Sequence, residues 1–231
     1  MMNNKKELLI WDLPIRIFHW SLVLLLACLW YTSDQDNGLI ELHIKFGYSA
    51  LTLVLFRIIW GFVGTYHAKF ANFVPSFRSI KYYLTHSNDQ HKTYLGHNPL
   101  GSLMVFVLLF LILSQAISGL FISDDIFSAG PYHESVEKSL QKFFALIHHN
   151  AFDWLLVFLF LHVVAAIYYV RVKKQKLIWA MFHGKKNIDE KMKEQGISDS
   201  KLWLALIVVL IVIAFVYWLV VINAPVIEEY Y

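Results

Sequence analysis

Five stretches of this chain are too long, too apolar and too poor in charge to be packed into a water-soluble core. They run from Ile17 to Ser33, from about Phe46 to Val63 with one internal charge at Arg57, and from Pro99 to Ser123. The fourth spans Trp154 to Val170, with a start expected some residues earlier, and the fifth Leu202 to Ile227. Each is close to the ~20 residues a helix needs to cross the hydrocarbon core of a bilayer. Every backbone group in that core must be satisfied internally, which leaves helices and closed barrels, and these runs lack the period-two alternation of barrel strands. Composition agrees: only 16% of the 231 residues are charged, against about 25% in an ordinary soluble domain. An all-α integral membrane fold is expected, and the first run is expected to be retained. It exceeds the usual ~7–15-residue core of a signal peptide, and Trp30-Tyr31-Thr32-Ser33-Asp34 has no small-x-small cleavage site.

The charges outside the runs set an orientation, because lysine and arginine collect on the cytoplasmic side. One side carries Lys5, Lys6 and Arg16, then Lys69, Arg78, Lys81 and Lys92. The loop between the fourth and fifth runs adds Arg171, Lys173, Lys174, Lys176, Lys185, Lys186, Lys191, Lys193 and Lys201 to that side. Lys45, Lys138 and Lys142 face the other side, among Asp34, Asp36, Glu41, Asp124, Asp125, Glu134 and Glu137. The N-terminus is therefore expected in the cytoplasm and the tail Glu228–Tyr231 outside, in a bacterial inner membrane. Because the lysines flank membrane spans, they do not mark a nucleic-acid surface. Cys28 is the single cysteine, so a disulfide framework, a CxxC metal site and covalent haem attachment through CxxCH are excluded.

The chemistry rests on histidine. Of eleven in the chain, a few lie within or at the mouths of the spans, where an ionisable group is costly and points to function. His19 sits near the cytoplasmic end of the first span and His43 at the outer entrance of the second. His148 and His149 stand at the outer entrance of the fourth, and His162 lies inside it toward the cytoplasm. From His148 to His162 is fourteen residues, close to four helical turns, so both face one way about 21 Å apart along the axis. His149 falls nearly opposite, which favours His148 as the inward residue if the helix already exists there. Depth then pairs His43 with His148 and His19 with His162. Two pairs at two depths suit cofactors held between facing helices of a four-helix bundle, and two imidazoles on one haem iron make a closed six-coordinate centre suited to electron transfer. The same histidines also admit packing on carbonyls, a proton path or zinc.

Arg57 falls fourteen residues after His43, on the same face of its helix. Its guanidinium either pairs with a haem propionate in fork geometry or snorkels to the interface. Arg16 either reaches a propionate or pairs with Asp12 four residues before it. Gly47, Gly61 and Gly119 either give room for a porphyrin or let helices approach. His67, His86, His91, His133 and His183 fall in loops and are expected to be solvated. In Gly96-His97-Asn98-Pro99, His97 is expected to be an interfacial polar cap ahead of a quinone contact, with Pro99 in the first helical turn where its missing donor costs nothing.

Several stretches together resemble the bacterial cytochrome b561 proteins and the b-type cytochrome subunits of hydrogenases. They are Trp11-Asp12-Leu13-Pro14-Ile15-Arg16-Ile17-Phe18-His19-Trp20, His43-Ile44-Lys45-Phe46-Gly47-Tyr48 and Phe56-Arg57-Ile58-Ile59-Trp60-Gly61-Phe62-Val63-Gly64. Tyr94-Leu95-Gly96-His97-Asn98-Pro99-Leu100-Gly101 and the His148–His162 helix complete the set. The resemblance covers roughly residues 10 to 186. It implies a four-helix core that binds two haem b groups with His19, His43, His148 and His162 as axial iron ligands, near a quinone pool. The expected division is a dihaem membrane domain over 1–186, then a cytoplasmic linker and an extra transmembrane helix over 187–231. This fifth helix departs from the four-helix core and suits a partner, a homo-oligomer or a tail anchor.

The expected function is electron transfer across the inner membrane, as in a respiratory chain, between quinone and a periplasmic cytochrome c or other redox partner. One alternative is a b-type subunit that anchors a hydrogenase-like complex. Another, of a different class, is a histidine-lined metal or proton transporter. No GxGxxG or GxxxxGK[ST] occurs in the cytoplasmic loops, so direct use of NADH is not expected.

Overall fold

In the computed structural model, residues 6–34, 38–86, 94–123, 128–188 and 196–225 are described. Among the charges that set the expected orientation, Lys5, Asp36, Lys92, Asp124, Asp125, Lys191, Lys193 and the tail Glu228–Tyr231 lie outside them, as does His91.

The element order is β1 (Lys6–Leu9), α1 (Leu13–Thr32), α2 (Ile40–Val63), α3 (Phe77–Thr85), α4 (Pro99–Ser118), α5 (Lys138–Arg171), α6 (Leu177–His183), β2 (Lys185–Ile188) and α7 (Leu202–Tyr217). A 3-10 turn, Gly119–Phe121, extends α4, and a π turn, Trp218–Ile222, extends α7. Five of these helices, α1, α2, α4, α5 and α7, are long and apolar enough to cross a membrane. Leu24, Phe110 and Phe160 are each more than two-thirds exposed on them, as side chains facing lipid are. The chain is thus a multi-pass helical membrane protein.

Two features of the helices exceed the hydropathy reading. Helix α2 begins at Ile40, so His43 stands in its first turn. Helix α5 begins at Lys138, ten residues before His148, so the phase argument that separates His148 from His149 applies.

The start of α1 shows how the sequence sets a terminus. The first four N–H groups of a helix lack intrahelical partners. Here Leu13 N–H donates to Ser200 Oγ (3.2 Å), Pro14 has none to satisfy, and Ile15 N–H donates to the Asp12 carboxylate (2.7 Å). Arg16 N–H donates to the Asp12 carbonyl (3.3 Å). Asp12 is 1% exposed. Its second carboxylate oxygen accepts from Trp60 Nε1 (3.1 Å) and from the Thr65 hydroxyl, so one carboxylate caps α1 and ties it to the end of α2.

The described residues form two compact units. The first comprises 1–19, 57–107 and 158–206, the second 20–56, 108–157 and 207–231. Each membrane helix contributes a segment to both. In the first unit, β1 and β2 pair antiparallel, Lys6 opposite Ile188 and Leu9 opposite Lys185. Gly184 precedes β2 with φ +81°, and a side chain there would press into the Trp11 carbonyl at 2.6 Å. Both Ile10 and Trp11 donate to the Gly184 carbonyl, so this close approach fixes the chain entering α1. In the second unit, Val208, Val212 and Val216 bury one stripe of α7. The Tyr132 hydroxyl donates to the Leu219 carbonyl in the π turn (2.7 Å).

Candidate functional site

In the first unit the rings of His19, on α1, and His162, on α5, have centroids 6.4 Å apart with planes at 54°. Two imidazoles sharing one metal atom through bonds of about 2 Å stand with ring centres about 6 Å apart. The separation of the pair would admit one metal atom between the two rings.

In the second unit His43 and His148 lie within electrostatic range of one another. Both rings are held at Nδ1. His43 Nδ1 lies 3.0 Å from the Leu29 carbonyl of α1 and 3.4 Å from the Thr32 hydroxyl. His148 Nδ1 lies 3.1 Å from the Gln115 carbonyl and 3.0 Å from the Ser118 hydroxyl, both on α4. A carbonyl accepts only, so Nδ1 carries the proton and Nε2 keeps its lone pair. Metal-binding histidines are oriented in this way. His149 is exposed, its ring 6.2 Å from that of His148 and perpendicular to it. The structure therefore turns His148, and not its neighbour, toward the bundle.

The three glycines separate into different roles. A side chain at Gly61 would lie 2.1 Å from Phe70 Cε2, so Gly61 serves close packing. At Gly119 it would press on His148 Cε1 at 3.3 Å, so Gly119 makes room for that imidazole. At Gly47, one turn beyond His43, no described atom lies within 4 Å of an added side chain.

Arg57 is 4% exposed, with its guanidinium 4.7 Å from the Phe70 ring centre and 5.9 Å from that of Phe73. It is enclosed rather than extended to water. Arg16 does not pair with Asp12: its Nη1 donates to the Phe182 carbonyl (2.6 Å), and Asp12 is engaged elsewhere.

Two histidines expected in solvent, His67 and His133, are structural. His67 is 7% exposed, with its ring edge-on to those of Trp11 and Tyr66. His133 Nδ1 lies 2.9 Å from the Phe121 carbonyl. His183 stays exposed as expected, stacked on Trp179 at 3.7 Å. The loops fold back over the helix ends, which local sequence does not reveal. His86 stays exposed, stacked on Tyr82.

His97 and Lys186 are the residues that sequence reasoning undervalued. The cap of α4 is Asn98, whose Oδ1 accepts from Gly101 N–H (2.7 Å), so His97 is free for another role. Its ring packs between Trp11 (4.7 Å) and Phe73 (4.6 Å). Burial, then the charges of Arg57 and Lys186, push its pKa down to about 3. It borders an open pocket of about 180 Å³ with Tyr66, His67, Asn72, Phe73, Tyr94, Leu95 and Gly96. Lys186 donates to the Leu95 carbonyl (2.6 Å) with its ammonium 5.8 Å from the Trp11 ring centre, and burial pushes its pKa down to about 8.

The fold defines a class: multi-pass helical membrane proteins, here with histidines of separate helices brought near one another in pairs. The chain belongs to the prokaryotic cytochrome b561 family, whose model matches residues 10–184. It is thus a b-type cytochrome, and haem b is the cofactor the family implies. Its similarities include a probable Ni/Fe-hydrogenase B-type cytochrome subunit of Rhizobium leguminosarum bv. viciae, 28% identical over 219 residues. A protein of the same name from Azotobacter vinelandii is 26% identical over 225 residues. Each match covers 79% of this chain and 90% of the relative. The namesake from Rhodobacter capsulatus is 22% identical over 218 residues, covering 79% of this chain and 82% of its own.

The residues fit haem better than a bare metal ion. A structural zinc site takes four protein ligands and a catalytic one three, and no group of three or more His, Cys, Asp or Glu able to hold a metal occurs among the described residues. Paired imidazoles suffice where a porphyrin supplies the remaining ligands.

Proposed function

We propose that this cytochrome binds two haem b groups, one between His19 and His162 and one between His43 and His148, and moves electrons across the bacterial inner membrane. The observation that carries this reading is the matched treatment of His43 and His148, each pinned through Nδ1 to a carbonyl of a neighbouring helix. Bound haem supplies reversible one-electron chemistry. The chain supplies two imidazoles per iron, which leave no open coordination position and so favour electron transfer over oxygen chemistry. The enclosed Arg57 and the half-buried Arg16 supply positive charge for propionates. The lysine and arginine bias supports a cytoplasmic N-terminus and a periplasmic C-terminus, with haem-binding residues in 1–186 and an added membrane helix in 187–231.

The partner is a hydrogenase-type redox subunit. The names of the relatives support it, and the exposed face of α7, with Trp203, Leu210 and Ile211 each more than half accessible, offers a surface within the membrane. Quinone is the second redox partner. A free-standing quinone cytochrome that serves a periplasmic cytochrome c is the rival reading, and affinity purification of the tagged chain from gently solubilised membranes separates the two.

The test of the cofactor is a dithionite-reduced minus oxidised spectrum of the purified chain, with pyridine haemochrome quantitation on the same sample. Two haems b per chain are expected. One haem would remove a histidine pair from the proposal, and none in haem-replete cells would sink it in favour of a histidine-lined metal or proton path.

A further inference from the structure

The first unit contains more cationic and donor capacity than its own residues use. Arg57 Nη1, Arg16 Nε and His97 Nδ1 are each shut off from water without a hydrogen-bond partner among the described residues. An unsatisfied buried polar group costs about 1–3 kcal/mol, and native folds rarely tolerate several together without a reason. These three share the unit that holds His19 and His162. Arg57, Lys186, His67 and His162 all lie within electrostatic range of His97. Asp12, the carboxylate whose charge reaches Arg57, already accepts from Ile15, Trp60 and Thr65. Among the described residues the surplus is positive, and it calls for an acid with several acceptor oxygens.

We propose that His97 is a propionate-binding residue of the haem held by His19 and His162, donating through Nδ1 beside the Arg57 guanidinium. This rests on the placement of a haem between His19 and His162. The ring is held for the role on both sides. Trp11 and Phe73 pack against it, and the Lys186 bond to Leu95 anchors the segment that carries it. A neutral donor to a carboxylate draws off negative charge near the iron, which favours the ferrous state. His97 therefore raises the potential of this haem without touching the metal.

The experiment is a potentiometric titration of the purified full-length chain, wild type against His97→Leu and His97→Gln, with haem quantitation on each sample. His19→Ala identifies which redox component belongs to this haem. In His97→Leu the ferrous-to-ferric ratio of that component at fixed potential is expected to fall roughly tenfold, which is 59 mV for a one-electron couple. His97→Gln, which keeps a donor, is expected to recover most of it. No shift in either variant, or an equal shift in both, overturns the proposal. A shift confined to the other haem overturns it as well, as does loss of decyl-ubiquinone binding with an unchanged potential, which would give His97 to quinone. If His97→Leu does not fold, the resonance-Raman propionate bending band of this haem decides, and a band unmoved between wild type and His97→Gln overturns the assignment. Wild-type protein lacking this haem would refute the underlying ligation, a failure distinct from an unshifted potential.

Discussion

Replacing Asp12 by alanine tests whether one buried carboxylate joins α1 to α2. The carboxylate accepts from Ile15 N–H, Trp60 Nε1 and the Thr65 hydroxyl, and all of Asp12, Trp60 and Thr65 are at most 3% exposed. Loss of an N-cap costs about 1 kcal/mol. Each buried donor left without an acceptor costs about 1–3 kcal/mol. These terms share one site and do not add fully, because the Thr65 hydroxyl can rotate toward another acceptor while the indole cannot. A net loss of about 3–5 kcal/mol follows from these terms. At about 2–4 °C per kcal/mol for a chain of this size, the midpoint of thermal unfolding in mild detergent, followed by circular dichroism, should fall by roughly 6–20 °C. Asp12→Asn keeps one acceptor oxygen and should lose less than half as much. A loss under about 1 kcal/mol in Asp12→Ala, or an asparagine variant no better than alanine, would refute this account of how α1 is anchored.

Four further outcomes follow. His43→Ala or His148→Ala should halve the haem-to-protein ratio while the component assigned to His19 and His162 keeps its spectrum, read by pyridine haemochrome; loss of all haem from a folded variant would contradict separate pairs. Gly61→Ala should destabilise the fold by about 1–3 kcal/mol, the usual cost of overpacking, because Phe70 must yield and it lies against Arg57 and Phe106. At Gly47 a Cβ meets no described atom within 4 Å, so Gly47→Ala should leave folding intact, and Gly47→Leu should lower haem content; full haem content in a folded Gly47→Leu variant would show that no porphyrin uses that space. Lys186, with its pKa lowered from 10.5 to about 8, binds a proton in the unfolded chain but not in the folded one between those values. Stability should therefore rise with pH across that window, and the difference between wild type and Lys186→Met in thermal melts from pH 7.5 to 10 should show that slope.

The membrane helices are legible because a bilayer imposes a simple rule on sequence, about twenty residues with little charge, and α4 begins at Pro99 as that rule predicts. Helical phase also reaches beyond spacing: it separates His148 from His149 before any contact is known. The first turn of α2 escaped because Glu41 and Lys45 break the apolar run, although charged residues suit the bilayer surface. The pairing of β1 with β2 is invisible locally, since four-residue strands nearly the whole chain apart carry no periodicity worth reading. His97 was undervalued for a related reason. Its neighbours Trp11, Phe73 and Lys186 come from three distant segments, and next to Pro99 in sequence it resembles a helix cap that Asn98 in fact provides.

The position of His43 and His148 follows from a property of helix ends. The last carbonyls of a helix have no intrahelical donors, and they form the negative end of its dipole. Leu29 lies in the final turn of α1, and Gln115 and Ser118 near the C-terminus of α4. His43 and His148 draw their Nδ1 acceptors from those two ends. An up-and-down bundle brings alternate helices to their C-termini on one side, and there α2 begins and α5 passes. The chain thus gains two oriented imidazoles without spending a buried carboxylate on either. A carbonyl at a helix C-terminus fixes the tautomer and raises the basicity of Nε2, yet adds no full charge to a membrane interior where charge is costly. A His43 ring reversed to present Nδ1 to a metal would break the bond to Leu29, so the proposed ligation by His43 would use Nε2.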